Sequence, residues 1–185
     1  MKKVLSVALL LLVIGCAKQG DNSTTKKSQE PNEQEYYETG SYYTQIFDTD
    51  QSRVKNLTLC ASVLDGVQIS PGEEFSFNET VGRRTKEKGY EEASILIGDE
   101  SGCAVGGGVC QISSTLYNAA LAAGMKITER HSHSREVKYV EKGRDAAVSW
   151  GTLDLRFLNI SDKNVRIGIS VENGFVYARI NEKRE

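Results

Sequence analysis

The stretch GGGVCQISSTLYNAAL, Gly106–Leu121, runs three glycines into a cysteine and the cysteine into a helical pattern. Each glycine loses more backbone freedom on ordering than any other residue. The run therefore suits a loop that turns sharply or lies close to another group. From Gln111 onward Ile112, Leu116, Ala119, Ala120 and Ala123 recur at helical spacing, and Gly124 is a natural stop. Cys110 thus falls at or just before the first helical turn. Free amides and the macrodipole favour negative charge there, and cysteines at helix N-termini can have lowered pKa values. A thiol so placed is a candidate nucleophile. The competing readings are a small buried side chain or half of a disulfide.

Outward from this helix the chain divides by character. Upstream, Ser52–Leu64 reads as a first helix, with Ser52 as its cap, an apolar stripe of Val54, Leu57, Ala61 and Leu64, and Gly66 as its end. Glu74–Asn78 and Ala93–Gly98 read as short strands, separated by a charged loop over Val81–Gly89. Downstream, Lys126–Glu129, Ser134–Val140, Ala146–Trp150, Leu153–Leu158, Val165–Val171 and Phe175–Ile180 read as strands. Asn173-Gly174 marks a hairpin between the last two. Early helices and a late, mostly antiparallel sheet give an α+β class, with the N-terminal helix and the cysteine-bearing helix packed on the sheet.

A cysteine nucleophile needs a base and a group that orients the base. The chain has two histidines, His131 and His133, in ERHSHSREV, where a strand is expected to begin. Alternate strand residues share a face, so spacing does not choose between them. Asp145, in KGRDAAV, begins the next expected strand and can lie beside an imidazole. Helix-edge Cys, strand His and next-strand Asp is the order of papain-like and transglutaminase-like thiol enzymes, an analogy only. Arg83, Arg84, Arg144 and Arg156 are candidate carboxylate clamps. Gln111 and Thr115, with Gly108 in the glycine run, are candidates to shape the substrate and oxyanion site. The amide of Cys110 or of Gln111 is the default oxyanion donor.

The front of the chain is read as targeting and tether. Lys2 and Lys3 precede an apolar run, Val4–Gly15, too short to span a bilayer and suited to a signal peptide. It ends in Val13-Ile14-Gly15-Cys16, which resembles the lipobox of bacterial lipoproteins and marks Cys16 for lipidation. The expected organisation is a lipoprotein signal peptide over 1–16, a polar disordered tether over 17–42, and one domain over 43–185. The protein is then held at the outer face of the membrane by acyl chains. The net charge of −2 gives no field for nucleic acid. Apart from Cys16, three cysteines remain. A Cys60–Cys103 pair, a Cys103–Cys110 pair and three reduced thiols are the open alternatives. With no CxxC and two histidines, neither a metal site nor another cofactor is expected.

PGEEFSFNETVGRRTKEKGYEEA, GGGVCQISSTLYNAAL and ERHSHSREVKYVEKGRDAAVSWGTLDLRF together resemble successive motifs of the VanW family, from about Arg53 to Phe157. The family pattern places its histidine in a His-Ser pair after Glu-Arg, which favours His133. Ser114, where the family often has threonine, is a mild departure, and Cys103 is an addition. VanW domains occur in exported, cell-wall-associated proteins, some of them implicated as L,D-transpeptidases that act through a cysteine. The resemblance therefore implies that Cys110 attacks a peptidoglycan stem-peptide carbonyl, that His133 carries the proton, and that Asp145 orients His133. The alternatives are a peptide hydrolase using the same Cys/His site, or a non-catalytic wall or glycopeptide-binding module linked to vancomycin resistance.

Overall fold

The computed structural model describes residues 35–97 and 100–184. Its elements are β1 (Tyr36–Gln45), α1 (Gln51–Leu64), β2 (Gln68–Ile69), β3 (Glu74–Ser76), α2 (Phe77–Val81), β4 (Glu92–Ile97), β5 (Glu100–Val105), α3 (Val109–Ala122), β6 (Lys126–Glu129), β7 (Arg156–Leu158), β8 (Val165–Glu172) and β9 (Phe175–Lys183). The class is α+β: three helices with antiparallel sheets. The expected signal peptide, the lipidation site Cys16 and most of the expected tether lie outside the described residues.

The main sheet has the order β1-β9-β8-β2, every pair antiparallel. Its alternate residues Val165, Ile167 and Ile169 on β8 and Val176, Ala178 and Ile180 on β9 are buried. They meet Leu57, Cys60 and Leu64 of α1 and Ile112, Leu116 and Ala120 of α3 in one core, the period-2 and period-3.6 faces that burial requires. Asn173 (φ 52°) and Gly174 (φ 80°) both take positive φ in the β8–β9 turn, as a two-residue hairpin with the right-handed strand twist demands. A second sheet runs β3-β7-β6, and β4 with β5 forms a separate hairpin that leads into the glycine run.

The structure moves several sequence boundaries. Strand β1 begins at Tyr36, inside the stretch 17–42 assigned to a tether, and pairs with β9 along its length. The α1 cap is Asp50, whose Oδ1 accepts from the Arg53 amide (3.1 Å), and not Ser52, whose hydroxyl donates to Glu91 (2.7 Å). Phe77 and Asn78 belong to α2, capped by Ser76. The strands expected over 134–140 and 146–150 do not form, and 153–158 shortens to Arg156–Leu158. The reason is chemical. At the start of the second stretch the backbone bonds to side chains instead of a neighbouring strand: Ala146 N–H donates to Ser114 Oγ (2.9 Å), and its carbonyl accepts from Ser113 Oγ (2.6 Å). The Arg144 carbonyl accepts from Asn118 Nδ2 (2.7 Å). Three polar residues on one side of α3 thus take up the bonding capacity that a sheet would have used.

Candidate active site

Helix α3 starts two residues earlier than the apolar pattern suggests, at Val109. Gly108, in the left-handed region at φ 104°, caps it, and Cys110 is its second residue. The glycine run has specific steric causes. A Cβ on Gly107 would stand 2.3 Å from the Ala93 carbonyl oxygen, and one on Gly106 2.8 Å from Cβ of Arg84. Buried Asn56 of α1 fastens the run by donating from Nδ2 to the carbonyls of Gly107 (3.0 Å) and Glu91 (2.9 Å).

Cys110 is half-buried and faces a groove of about 820 Å³ that His133, Gly108, Arg84, Arg53 and Tyr139 also line. Its sulfur lies 3.5 Å from the Val148 carbonyl oxygen, and the His133 side chain is near enough to act on its ionisation. His133 Nδ1 donates to Asp145 Oδ2 (2.6 Å), which leaves Nε2 for the sulfur, and the same carboxylate oxygen accepts the His133 backbone N–H (2.6 Å). Asp145 Oδ1 accepts from Arg130 Nη2 (2.7 Å), and Arg130 Nε donates to the Asp145 carbonyl (2.6 Å). His133, Asp145 and Arg130 therefore form a continuous hydrogen-bonded chain, and Cys110 shares the groove with the imidazole at its end. His131 is not part of it; its Nε2 pairs with Glu129 (2.8 Å).

The electrostatics of the three groups are reciprocal. Burial pushes the Cys110 thiol up, but the His133 hydrogen bond, the Val148 contact, the imidazole charge and nearby Arg84 together hold it below the usual thiol range. Burial pulls His133 down, yet its bonds and charge interactions with Cys110 and Asp145 leave it above an ordinary imidazole. Asp145 is pushed up by burial and brought net below an ordinary carboxyl by the two His133 bonds and Arg130. The arrangement favours a thiolate–imidazolium pair with a carboxylate behind it. Cys60 is the opposite case: deep burial pushes its thiol up to about 12. Cys60, Cys103 and Cys110 are all free, and Cys103 is exposed on β5.

The remaining candidate residues divide. Arg84 and Gly108 line the groove. Gln111 borders it, but its buried side chain is spent internally: Nε2 donates to Thr44 Oγ1 (3.1 Å) and the Gln45 carbonyl (3.0 Å), and Oε1 accepts from Arg53 Nη2 (3.2 Å). The Gln111 amide donates to the Gly108 carbonyl (2.8 Å), so of the two amides expected to meet an oxyanion this one is already engaged. Thr115 is fully buried against Thr44 (2.8 Å) and does not line the groove. Arg156 lies outside it on β7, among the carboxylates of Glu79 (2.6 Å), Asp154 (3.1 Å), Glu74 (3.2 Å) and Glu129 (3.5 Å). The reason is that neither residue's face could be assigned before the partners of α3 and β7 were known.

Sequence reasoning missed Arg53, Tyr139, Trp150 and Arg130. Burial and the neighbouring Cys110 push the Tyr139 phenol up, so it stays neutral. Trp150 lines the groove and is 48% exposed, a large apolar surface that folding leaves uncovered. The lone tryptophan was a signal available in the sequence. Arg53 carried none, because its reach to the groove depends on how α1 packs against Gly108.

The family model described as "VanW like protein" matches residues 52–181. The "Uncharacterized protein YoaR" of Bacillus subtilis (strain 168) is 49% identical over 120 residues, covering 65% of this chain and 40% of that protein. The "Vancomycin B-type resistance protein VanW" of Enterococcus faecalis (strain ATCC 700802 / V583) is 30% identical over 139 residues, covering 70% of this chain and 49% of its own length. The chain thus spans less than half the length of either relative. No solved structure matches. The extent of the family match, which includes both Cys110 and the His133–Asp145 segment, places this chain in the VanW-like family.

Proposed function

We propose that this protein is an exported cell-wall lipoprotein that cross-links peptidoglycan stems by L,D-transpeptidase-type acyl transfer through Cys110. The observation that carries the reading is the Cys110–His133–Asp145 grouping opening on a groove. The Cys110 thiolate attacks a stem-peptide carbonyl, and a C–S bond forms as the oxygen takes up negative charge near the Cys110 amide. The tetrahedral adduct collapses, the C–N bond breaks, and His133 Nε2 gives its proton to the departing amine. The amine of a second stem then attacks the thioester, losing its proton to His133 as the C–S bond breaks. Asp145 holds the imidazole ring and stabilises its charged form throughout. In the order and roles of these residues the site is like those of papain-type and transglutaminase-type thiol enzymes, although His133 stands in irregular chain and not in a strand.

Export and anchoring rest on Lys2, Lys3, the apolar run to Gly15 and Cys16. Among the described residues no helix is long and apolar enough to cross a membrane. A link to glycopeptide resistance rests on the name of one relative.

The test is incubation of the protein with purified muropeptides, followed by mass spectrometry. The expected product is a stem dimer that Cys110→Ala does not make. Shortened stems without dimers would replace the reading with hydrolysis. No product from the wild type, or equal product from Cys110→Ala, would end it.

A further inference from the structure

The glycine run does more than free the backbone before Cys110; it seats two guanidinium groups beside the thiol. The stem of Arg84 lies where a side chain on Gly106 would be, with Arg84 Cβ 2.8 Å from the position of its Cβ. Arg53 occupies the corresponding place at Gly108, with Cγ at 3.1 Å. Both line the groove that holds Cys110 and His133.

Their partners distinguish them from the arginines at β7 and behind Asp145. Arg156 stands among four carboxylates, and Arg130 pairs with Asp145. Arg83 and Arg135 also line the groove, but Arg84 and Arg53 are the two held by neutral oxygens beside the glycine run. Arg84 Nη1 donates to Asn78 Oδ1 (2.7 Å) and the Gly82 carbonyl (3.0 Å). Arg53 donates to the Ser94 carbonyl (3.4 Å) and Gln111 Oε1 (3.2 Å). Among the described residues, Nη2 and Nε of Arg84 make no hydrogen bond, and Nε of Arg53 is buried without a partner. The acidic residues lining the groove are Asp48 and Glu136; Glu136 pairs with Lys142 (3.0 Å), and Asp48 accepts the Asp50 amide (3.1 Å). Two positioned positive charges therefore face the groove without a counter-ion, and a guanidinium with free N–H groups is a fork for a carboxylate.

We propose that Arg84, supported by Arg53, binds a free carboxylate on the residue that departs when Cys110 is acylated, so that the groove accepts the acyl donor by its C-terminal end. This rests on the acyl-transfer reading above. Sγ attacks the carbonyl of the penultimate residue and the C–S bond forms. The C–N bond to the last residue breaks, His133 protonates the departing amine, and a free amino acid leaves with its carboxylate on Arg84. A peptide whose last residue is amidated lacks the charge that Arg84 reads, and an internal peptide bond has no carboxylate at that place.

The experiment uses two reagents of nearly equal size and opposite character. Iodoacetate carries a carboxylate next to the attacked carbon; iodoacetamide carries none. Rates are measured on the full chain at Cys110, by peptide mass spectrometry, with exposed Cys103 as reference. The expected iodoacetate/iodoacetamide ratio at Cys110 exceeds that at Cys103 by about tenfold, and 0.5 M salt lowers it. Arg84→Gln brings the ratio at Cys110 down several-fold, and Arg84→Lys retains part of it. If Arg84 only tuned the thiolate, both reagents would slow together and the ratio would hold; that result overturns the proposal. Melting curves of both variants, and the salt effect on the wild type, keep the test valid if one variant folds poorly.

A second arm uses stem tetrapeptides ending in a free acid or an amide, with acyl-enzyme read by intact mass. Acylation by the acid at about ten times the rate of the amide is expected, with the difference lost in Arg84→Gln. Equal acylation by both overturns the proposal and leaves the acyl-transfer reading standing. No acylation by either, with the alkylation ratio intact, overturns the acyl-transfer reading and leaves an anion-reading groove.

Discussion

The sulfur of Cys110 and the ring of His133 are displaced in opposite directions from their ordinary pKa values, and the displacement has a pH signature. A depressed thiol is ionised from a lower pH upward; a raised imidazole keeps its proton to a higher pH. Both displacements favour the ion pair over the neutral pair. The iodoacetamide rate at Cys110 should therefore rise through a midpoint below the ~8.5 of a free thiol. His133→Ala removes the bond and the charge while burial still acts, so the midpoint should move up past the wild-type value. An unchanged midpoint would show that the imidazole does not sustain the thiolate. Cys60, pushed up to about 12, should stay unlabelled across that range. The positions of Cys110, His133 and Asp145 could be read in advance because each is a rare side chain at a marked boundary. Thr115 and Arg156 could not, because a hydroxyl or guanidinium reads the same in sequence whether it is satisfied inside the protein or free to meet a ligand.

Helix α3 organises the surrounding chain through its polar side. Ser113, Ser114 and Asn118 are all but fully buried, and each takes a backbone group of Arg144 or Ala146. Those residues flank Asp145. Ser114→Ala should leave the Ala146 N–H unpaired and cost about 1–3 kcal/mol, read from urea unfolding. The same variant should slow acyl transfer by loosening Asp145; an unchanged stability would show that water replaces the hydroxyl. This arrangement also explains why the stretch from Ala146 defeated pattern reading, and 134–140 shows a second limit of it. Exposure does alternate from His131 to Tyr139, but alternation reports which side faces the protein and not what the backbone bonds to. The β8–β9 hairpin was legible because Asn-Gly forces its own turn. At the other end of α3, a Cβ on Gly40 of β1 would stand 2.3 Å from the Ala123 amide nitrogen. Gly40→Ala should cost about 1–3 kcal/mol through this overpacking, visible as a lower melting temperature.

The fold as a whole depends on a strand that composition hides. Residues 36–42 continue the polar, tyrosine-rich character of the stretch before them, so they read as tether. Pairing with β9 and contact with α3 make them the sheet's outer strand. A chain beginning at Glu35 should melt cooperatively. One beginning at Tyr43, the boundary that composition suggests, should lose most of β1, bare the β9 edge and aggregate or melt at lower temperature. Equal melting of the two would mean that β1 adds nothing to stability. The α+β class and the family were legible because both rest on patterns within single segments. The groove was not, since its walls come from α1, the β4–β5 hairpin, the start of α3 and the irregular chain after His131. One cylinder of backbone, α3, presents the sulfur at its tip and clamps the carboxylate's neighbours along its flank. The reacting atoms therefore share a common mount, and the main sheet can flex without changing the spacing between them. Heat should accordingly return Cys110 to the reactivity of an ordinary thiol only when that cylinder itself unwinds, so loss of its enhanced reactivity and melting should coincide.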